Sequence, residues 1–519
     1  MPYLVVGIIA NMAESKGGEP PLLAKQLMGM ARKSSFWQLA VPLAFLLIVV
    51  FFFPSRTRFE FSTDEGMELM KAMLVEREYS LYSEIWSDQP PLFTVLQAGV
   101  IHFFGYKVGA ARFLVVLLSC LLLWAAFHYM RSVWGSKTAL AGVLLIFLLP
   151  KYLILSAAVM AGLPGLSFAI CSLLALTLWH LRRKPIWLAL SAIALSLSVL
   201  IKLITGFLVV IFVLGVMVGE FVRYKGDLNW RKLLSPPALW IAVFAGFTLI
   251  GGLLLVGPAN LPQLLETHLF AEIVEGFRNN VALTINWHLK NVIPLLILAL
   301  VGTLFSLQAK RWLVLYPLAW MVAAYGLLYF HSPVWDHHQL LVTIPAAILA
   351  ASAVVEAAGL LLQIIRSNLH PNTNGLLRIA ALISLAAIFF TFRFQEPLSL
   401  LTPLPAISAS DLELGPDKEA FLRKMIKFAP QTEWVVTDLP MYAFRAGLPV
   451  PPELAVFSLK RVETGNLDQA QVLATVIKYS PEQVLIGRFE FPALDQYLAE
   501  NYRLIEIKDK VKLYVRNDL

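Results

Sequence analysis

Residues 107–130 read KVGAARFLVVLLSCLLLWAAFHYM, and between Arg112 and Arg131 there is no Asp, Glu, Lys or Arg. A hydrocarbon core about 30 Å thick needs about 20 such residues in a helix, because no water is present to satisfy the backbone. Ten further segments read the same way: 37–54, 138–157, 163–181, 186–201, 203–220, 236–257, 292–309, 312–330, 339–362 and 377–392. The whole chain agrees with them. Of its 519 residues, 58% are hydrophobic and only 15% charged, with a mean hydropathy of +0.71, whereas a soluble globule carries about a quarter charged residues. This composition excludes a soluble enzyme, a nucleic-acid binder using its basic pI, and a disordered chain.

The net charge of +8 is a topological signal. With the N-terminus inside, the inner connections hold Arg131 and Lys137, Arg182 to Lys184, Arg223, Lys225, Arg231 and Lys232, Lys310 and Arg311, then Arg366 and Arg378. With Lys16, Lys25, Arg32 and Lys33 of the leader they make 17 of the 27 Lys and Arg before Phe392, the bias of cytoplasmic loops. Residues 1–36 therefore read as a basic cytoplasmic leader, and eleven spans carry the C-terminus outside a plasma or inner membrane. Cys120 and Cys171 both lie in apolar runs and form no disulfide or CxxC pattern.

The acids are concentrated in two places: 17 of 34 follow Phe392, and eight crowd into residues 60–88. The first group belongs to residues 393–519, whose composition is that of a soluble α/β domain. A helix is expected from Pro416 to about Phe428, strands at Glu433–Thr437 and Gln483–Ile486, a capping box at Asn466 and Gln469, and a hairpin around Lys508-Asp509-Lys510. Neither GxGxxG nor a Walker loop is present. The second group lies in the first outer loop, residues 55–106, between the first two spans. Two more outer regions are polar, 258–291 and His331 to His338.

The sharpest local signal is Ser62-Thr63-Asp64-Glu65-Gly66, followed by Asp88-Gln89-Pro90-Pro91-Leu92-Phe93. Carboxylates at a membrane surface suit general-base chemistry, where an attacking hydroxyl or amine must lose its proton; they equally suit helix capping and solvation. Further along come Phe104-Gly105, Ala110-Ala111-Arg112-Phe113, the run Leu200-Ile201-Lys202-Leu203-Ile204-Thr205-Gly206, and His337-His338-Gln339-Leu340-Leu341 with Pro345. In this order the segments resemble the GT-C glycosyltransferases, specifically glycosyltransferase family 39, which includes the protein O-mannosyltransferases and aminoarabinose transferases.

The resemblance implies a GT-C membrane fold and inverting transfer of a sugar, hexosyl or pentosyl, from a polyprenyl-phosphate carrier to a protein, lipid or glycan acceptor on the outer face, among membrane lipids and without nucleic acid. It makes Asp64 the base and Glu65 the residue that orients it or the acceptor. Lys202, Arg278, His337 and His338 become candidates for the donor phosphate, whose growing charge preorganised cations would stabilise, with Asp88 and Gln89 contacting substrate. A lysine interrupting an apolar run is costly, though it can also snorkel to the headgroups. Two departures stand out. Gln89 occupies a position where the aminoarabinose transferases carry a lysine, and Val159 to Pro164 lacks the acid that many members have there. A divalent metal has no clear ligand set: Asp336, His337 and His338 are sequence neighbours whose side chains diverge. A transporter or lipid flippase would also suit many helices with rare charges, and so would an assembly anchor, but no inverted repeat is visible and the acids cluster in one outer loop.

Overall fold

A computed structural model describes residues 36–53, 58–149, 151–224, 230–261, 263, 264, 275–331, 333–365, 375, 379, 382, 383 and 416–519, with backbone alone at 36–38, 275–291, 360, 361 and 363–365. The leader before residue 36, the linker up to residue 415 and most of the segment 377–392 lie outside the described residues.

The other ten apolar segments are all helical. They correspond to α1 (Phe36–Phe52), α4 (Val108–Trp134), α5 (Ser136–Phe147), α6 (Gly162–Arg182), α7 (Pro185–Ile201), α8 (Leu208–Arg223), α9 (Trp230–Leu255), α10 (Glu275–Gln308), α11 (Leu315–Phe330) and α12 (Leu340–Ile365). The first outer loop adds α2 (Thr63–Glu76) and α3 (Leu92–Phe104). Six described helical stretches are long and apolar enough to cross a membrane, and the rest of the apolar set are shorter. The segment 138–157 departs from a single span. Its helix ends at Phe147, three residues before Pro150, and a separate turn covers Tyr152–Leu155; the position before a proline disfavours helix.

The bundle is tightest where small residues allow it. A Cβ at Gly302 of α10 would meet the Leu349 carbonyl oxygen of α12 at 2.1 Å, so these helices pack backbone to backbone, as membrane helices do through small residues. At the rim, α9 exposes Leu249, Ile250, Leu253 and Leu254, the last 79% exposed, a face that only lipid would cover without cost. Between α7 and α8 the chain turns at Lys202, whose φ of −147° and ψ of 107° are extended, and continues into one tight turn, Leu203–Phe207.

The C-terminal region is an α/β domain containing α13 (Pro416–Phe428), β1 (Val435–Thr437), α14 (Pro440–Arg445), α15 (Gln469–Tyr479), β2 (Gln483–Ile486), α16 (Pro492–Asn501), β3 (Tyr502–Lys508) and β4 (Val511–Arg516). Its sheet has the order β1-β2-β4-β3, with β1 and β2 parallel and the other pairs antiparallel. Asp509, with φ of 51°, makes the hairpin turn. The capping box is not at Asn466 and Gln469. It is formed by Asp468 and Gln471, while Asn466 bonds Thr464 Oγ1 at 2.8 Å. Both pairs have the right spacing, but the helix begins at Gln469, which puts Asp468 at the N-cap and Gln471 three residues on.

The domain is not tethered loosely. One apolar core contains Phe59, Met70, Met73 and Phe93 of the first outer loop together with Phe421, Met425, Met441 and Phe444 of the domain. Polar latches surround it. Arg445 donates to the main-chain oxygens of Arg58 (3.1 Å) and Phe59 (2.6 Å), and Arg461 lies over the Trp86 ring at 4.7 Å. A large apolar interface of this kind holds two units in a fixed relation.

Candidate active site

Ser62, with extended backbone, starts α2 and accepts the Asp64 N–H at 3.4 Å. Asp64 and Glu65 thus occupy the first turn, where the helix dipole favours negative charge. Adjacent helical residues point about 100° apart, and the two carboxylates separate completely. Asp64 lines a cavity of about 830 Å³, with Glu68 and Lys71 on the same face of α2; Glu65 does not reach it.

Glu65 is fully buried behind the cavity. Its Oε1 accepts from Arg112 Nε at 2.8 Å and the Val159 N–H at 3.0 Å; its Oε2 accepts from Arg112 Nη2 at 2.7 Å and the Phe61 N–H at 3.0 Å. With these four donors the Glu65 carboxylate ties α2 to α4 and to the loop at Val159. That loop, which lacks an acid, contributes its backbone instead.

Five of the other candidates do converge. Asp88, Gln89, Lys202, His337 and His338 all line the cavity with Asp64. These residues come from connections expected on one side of the membrane, and their meeting at one place fits that alternation. Lys202 Nζ donates to Gln89 Oε1 at 2.7 Å. Gly165 of α6 makes room for this lysine, since a Cβ there would lie 3.1 Å from Lys202 Cβ. Arg278 lies on α10, whose described residues there are backbone only, so its side chain is outside the described set.

The sequence reading missed several cavity residues. Glu68 and Lys71, four and seven residues after Asp64, are paired at 2.9 Å; their helical spacing from Asp64 was a readable signal. Lys460 and Arg488 come from the C-terminal domain, with Lys460 3.3 Å from Asp88, and no local pattern announces them. In the His331 to His338 segment, Asp336 pairs with Lys151 at 3.2 Å and His338 Nδ1 accepts the Trp335 N–H at 3.2 Å. Those donors are turned to different partners, and among the described residues no three His, Cys, Asp or Glu side chains converge on a metal position.

Asp64 differs from its acidic neighbours. Among the described residues its carboxylate makes neither a hydrogen bond nor an ion pair, and the half-buried residue lines the cavity. Burial pushes its carboxyl above the usual aspartate range, Lys202 and Arg488 pull it back, and Glu68 and Asp88 add to the rise.

Residues 88–250 match the family model of dolichyl-phosphate-mannose-protein mannosyltransferase. The structure superposes on ArnT from Cupriavidus metallidurans bound to undecaprenyl phosphate, with a TM-score of 0.59 over 93% of this chain and 98% of that one, at 14% identity. The chain has the GT-C fold. The apo oligosaccharyltransferase of Archaeoglobus fulgidus shares the GT-C arrangement at a TM-score of 0.53, over 87% of this chain and 70% of that one, at 14% identity. Archaeal oligosaccharyltransferase AglB, in complex with an inhibitory peptide and a dolichol-phosphate, gives 0.51, 93%, 74% and 12% in the same order. No curated protein matches by sequence. The matched family region contains Asp88, Gln89, Arg112 and Lys202, so the cavity and the family segment share Asp88, Gln89 and Lys202.

Proposed function

We propose that this protein is a membrane glycosyltransferase that moves a hexosyl or pentosyl group from a polyprenyl-phosphate donor to an acceptor on the extracytoplasmic face, with inversion. The observation that carries the reading is the unpartnered Asp64 carboxylate facing a cavity shared with Lys202. Fold likeness supports it: the ArnT and AglB structures were determined with polyprenyl- and dolichol-phosphate ligands.

In this mechanism Asp64 accepts the proton of the acceptor hydroxyl or amine as that atom attacks the anomeric carbon. The bond from that carbon to the phosphate oxygen breaks, and its electron pair leaves with the polyprenyl phosphate. Lys202, held on Gln89, stabilises the charge that grows on the leaving phosphate, which is worth more in a dry, preorganised site than in water. His337 and His338 line the same cavity and supply further donors, and Arg278 remains a candidate from α10. Asp88, paired with Lys460, shapes the acceptor side.

The test is release of polyprenyl phosphate from a panel of polyprenyl-phosphate sugars by the full chain in lipid nanodiscs, with a membrane extract as acceptor source. Wild type releases the carrier with at least one sugar, and Asp64→Asn slows release by about 10²–10⁴-fold. Undiminished release by Asp64→Asn would remove Asp64 as the base.

A further inference from the structure

Among the described residues, four Lys or Arg side chains line the cavity: Lys71, Lys202, Lys460 and Arg488. Lys71 is matched by Glu68 at 2.9 Å and Lys460 by Asp88 at 3.3 Å. Lys202 has a neutral amide as its hydrogen-bond partner. Arg488 has no carboxylate partner among the described residues. Two positive groups are therefore left without a hydrogen-bonded anion, and they stand on different walls of the cavity. Lys202 sits at the break between two membrane helices, while Arg488 is carried by the C-terminal domain.

Arg488 is held in a defined pose. Its Nη1 donates to the main-chain oxygens of Asp438 (3.3 Å) and Phe457 (3.2 Å), and its guanidinium lies over the Phe489 ring at 5.1 Å. The backbone beneath is fixed too. The Asp438 carboxylate, fully buried, accepts the N–H groups of Gly487 (3.0 Å), Arg488 (2.6 Å) and Phe489 (2.9 Å), pinning the turn that leaves β2. The opposite edge, Nε and Nη2, meets no acceptor among the described residues. A guanidinium clamped along one edge and open along the other suits two-pronged recognition of a carboxylate or phosphate.

A donor phosphate is fixed to a lipid and enters from the membrane side, where Lys202 lies. An anion that meets Arg488 comes from the aqueous side. Both cations act electrostatically on Asp64, so a group docked on Arg488 would be brought next to the proposed base. Resting on the glycosyl-transfer reading for the identity of the two substrates, we infer that Arg488 is the binding site for an anionic group, a phosphate monoester or a carboxylate, on the acceptor. The C-terminal domain thereby supplies half of the substrate selection.

Isothermal titration of the full chain in nanodiscs tests this with three probes: glycerol 1-phosphate, acetate and undecaprenyl phosphate. Wild type should bind at least one soluble anion in the millimolar range or tighter. Arg488→Ala should weaken that binding by about tenfold or more and leave undecaprenyl phosphate unaffected, with Arg488→Lys intermediate; Lys202→Met should do the reverse. Which anion responds tells phosphate from carboxylate. Loss of undecaprenyl phosphate binding in Arg488→Ala would assign the residue to the donor, and wild type indifferent to both soluble anions would overturn the site. If Arg488→Ala unfolds at lower temperature than wild type, Arg488→Gln replaces it. Because the readout is binding, a chain that binds the soluble anion through Arg488 yet releases no carrier keeps the anion site and loses the glycosyl-transfer reading.

Discussion

Lys202 Nζ lies 2.7 Å from Gln89 Oε1, so the end of one membrane helix delivers its charge beside the residue that precedes Pro90-Pro91. A cation can reach this spot from either strand of the chain. Lys202→Met should weaken undecaprenyl phosphate binding by about 10–100-fold, the loss of one charge-assisted hydrogen bond. Gln89→Lys in the Lys202→Met background should restore much of it, because the ammonium returns by the other route. Equal weakness in the single and double variants would show that position 202 matters for something other than its charge.

The pH dependence follows from the environment of Asp64. The base works ionised, and burial raises its pKa; the acid limb of kcat/KM should therefore fall at a pH above the ordinary aspartate value of about 3.9. Lys202 lowers that pKa, so Lys202→Met should move the limb to still higher pH while also reducing the maximum. A pH profile of carrier release decides it. A limb that stays fixed in Lys202→Met would mean that the titrating group is not Asp64.

Glu65 and Arg112 form a buried ion pair, 0% and 1% exposed, and stripping one partner leaves the other charged in an apolar interior. Glu65→Gln and Arg112→Leu should each destabilise the chain by about 3–5 kcal/mol, seen as an earlier thermal transition and lower yield in detergent. The Asp64→Asn protein should stay within about 1 kcal/mol of wild-type stability, since nothing among the described residues binds that carboxylate and the helix-dipole contribution is small. If Glu65→Gln folded normally and lost only turnover, Glu65 would belong to the chemistry after all.

The apolar runs were legible because a membrane imposes length and composition on each helix separately. Asp64 was legible because a cap, an acid and an outer loop are adjacent in sequence. The roles of its neighbours were not. That Asp64 and Glu65 part company follows from helical geometry, but which of them faces the cavity depends on Arg112, 47 residues away. Lys460 and Arg488 reach the cavity only because the C-terminal domain docks on the first outer loop through a shared core, a long-range event without a local signature. Val159 is tied to Glu65 behind the cavity through its backbone N–H, which no side-chain pattern encodes.

Docking of that domain depends on a glycine in the motif itself. A Cβ on Gly66 of α2 would lie 2.6 Å from the backbone nitrogen of Met441 in α14 and 3.1 Å from its Cα, whereas a Cβ on Gly99 of α3 would meet nothing within 4 Å. Both glycines are helical, and replacing a helical glycine by alanine ordinarily stabilises by about 0.5–1 kcal/mol. Gly99→Ala should show that gain. Gly66→Ala should do the opposite, pushing α14 off α2, raising hydrogen exchange across residues 440–445 and weakening soluble-anion binding at Arg488, because the wall that carries Arg488 moves with the domain. Equal thermal shifts for the two alanine variants, with unchanged exchange at α14, would mean that the domain does not need this close approach to seat.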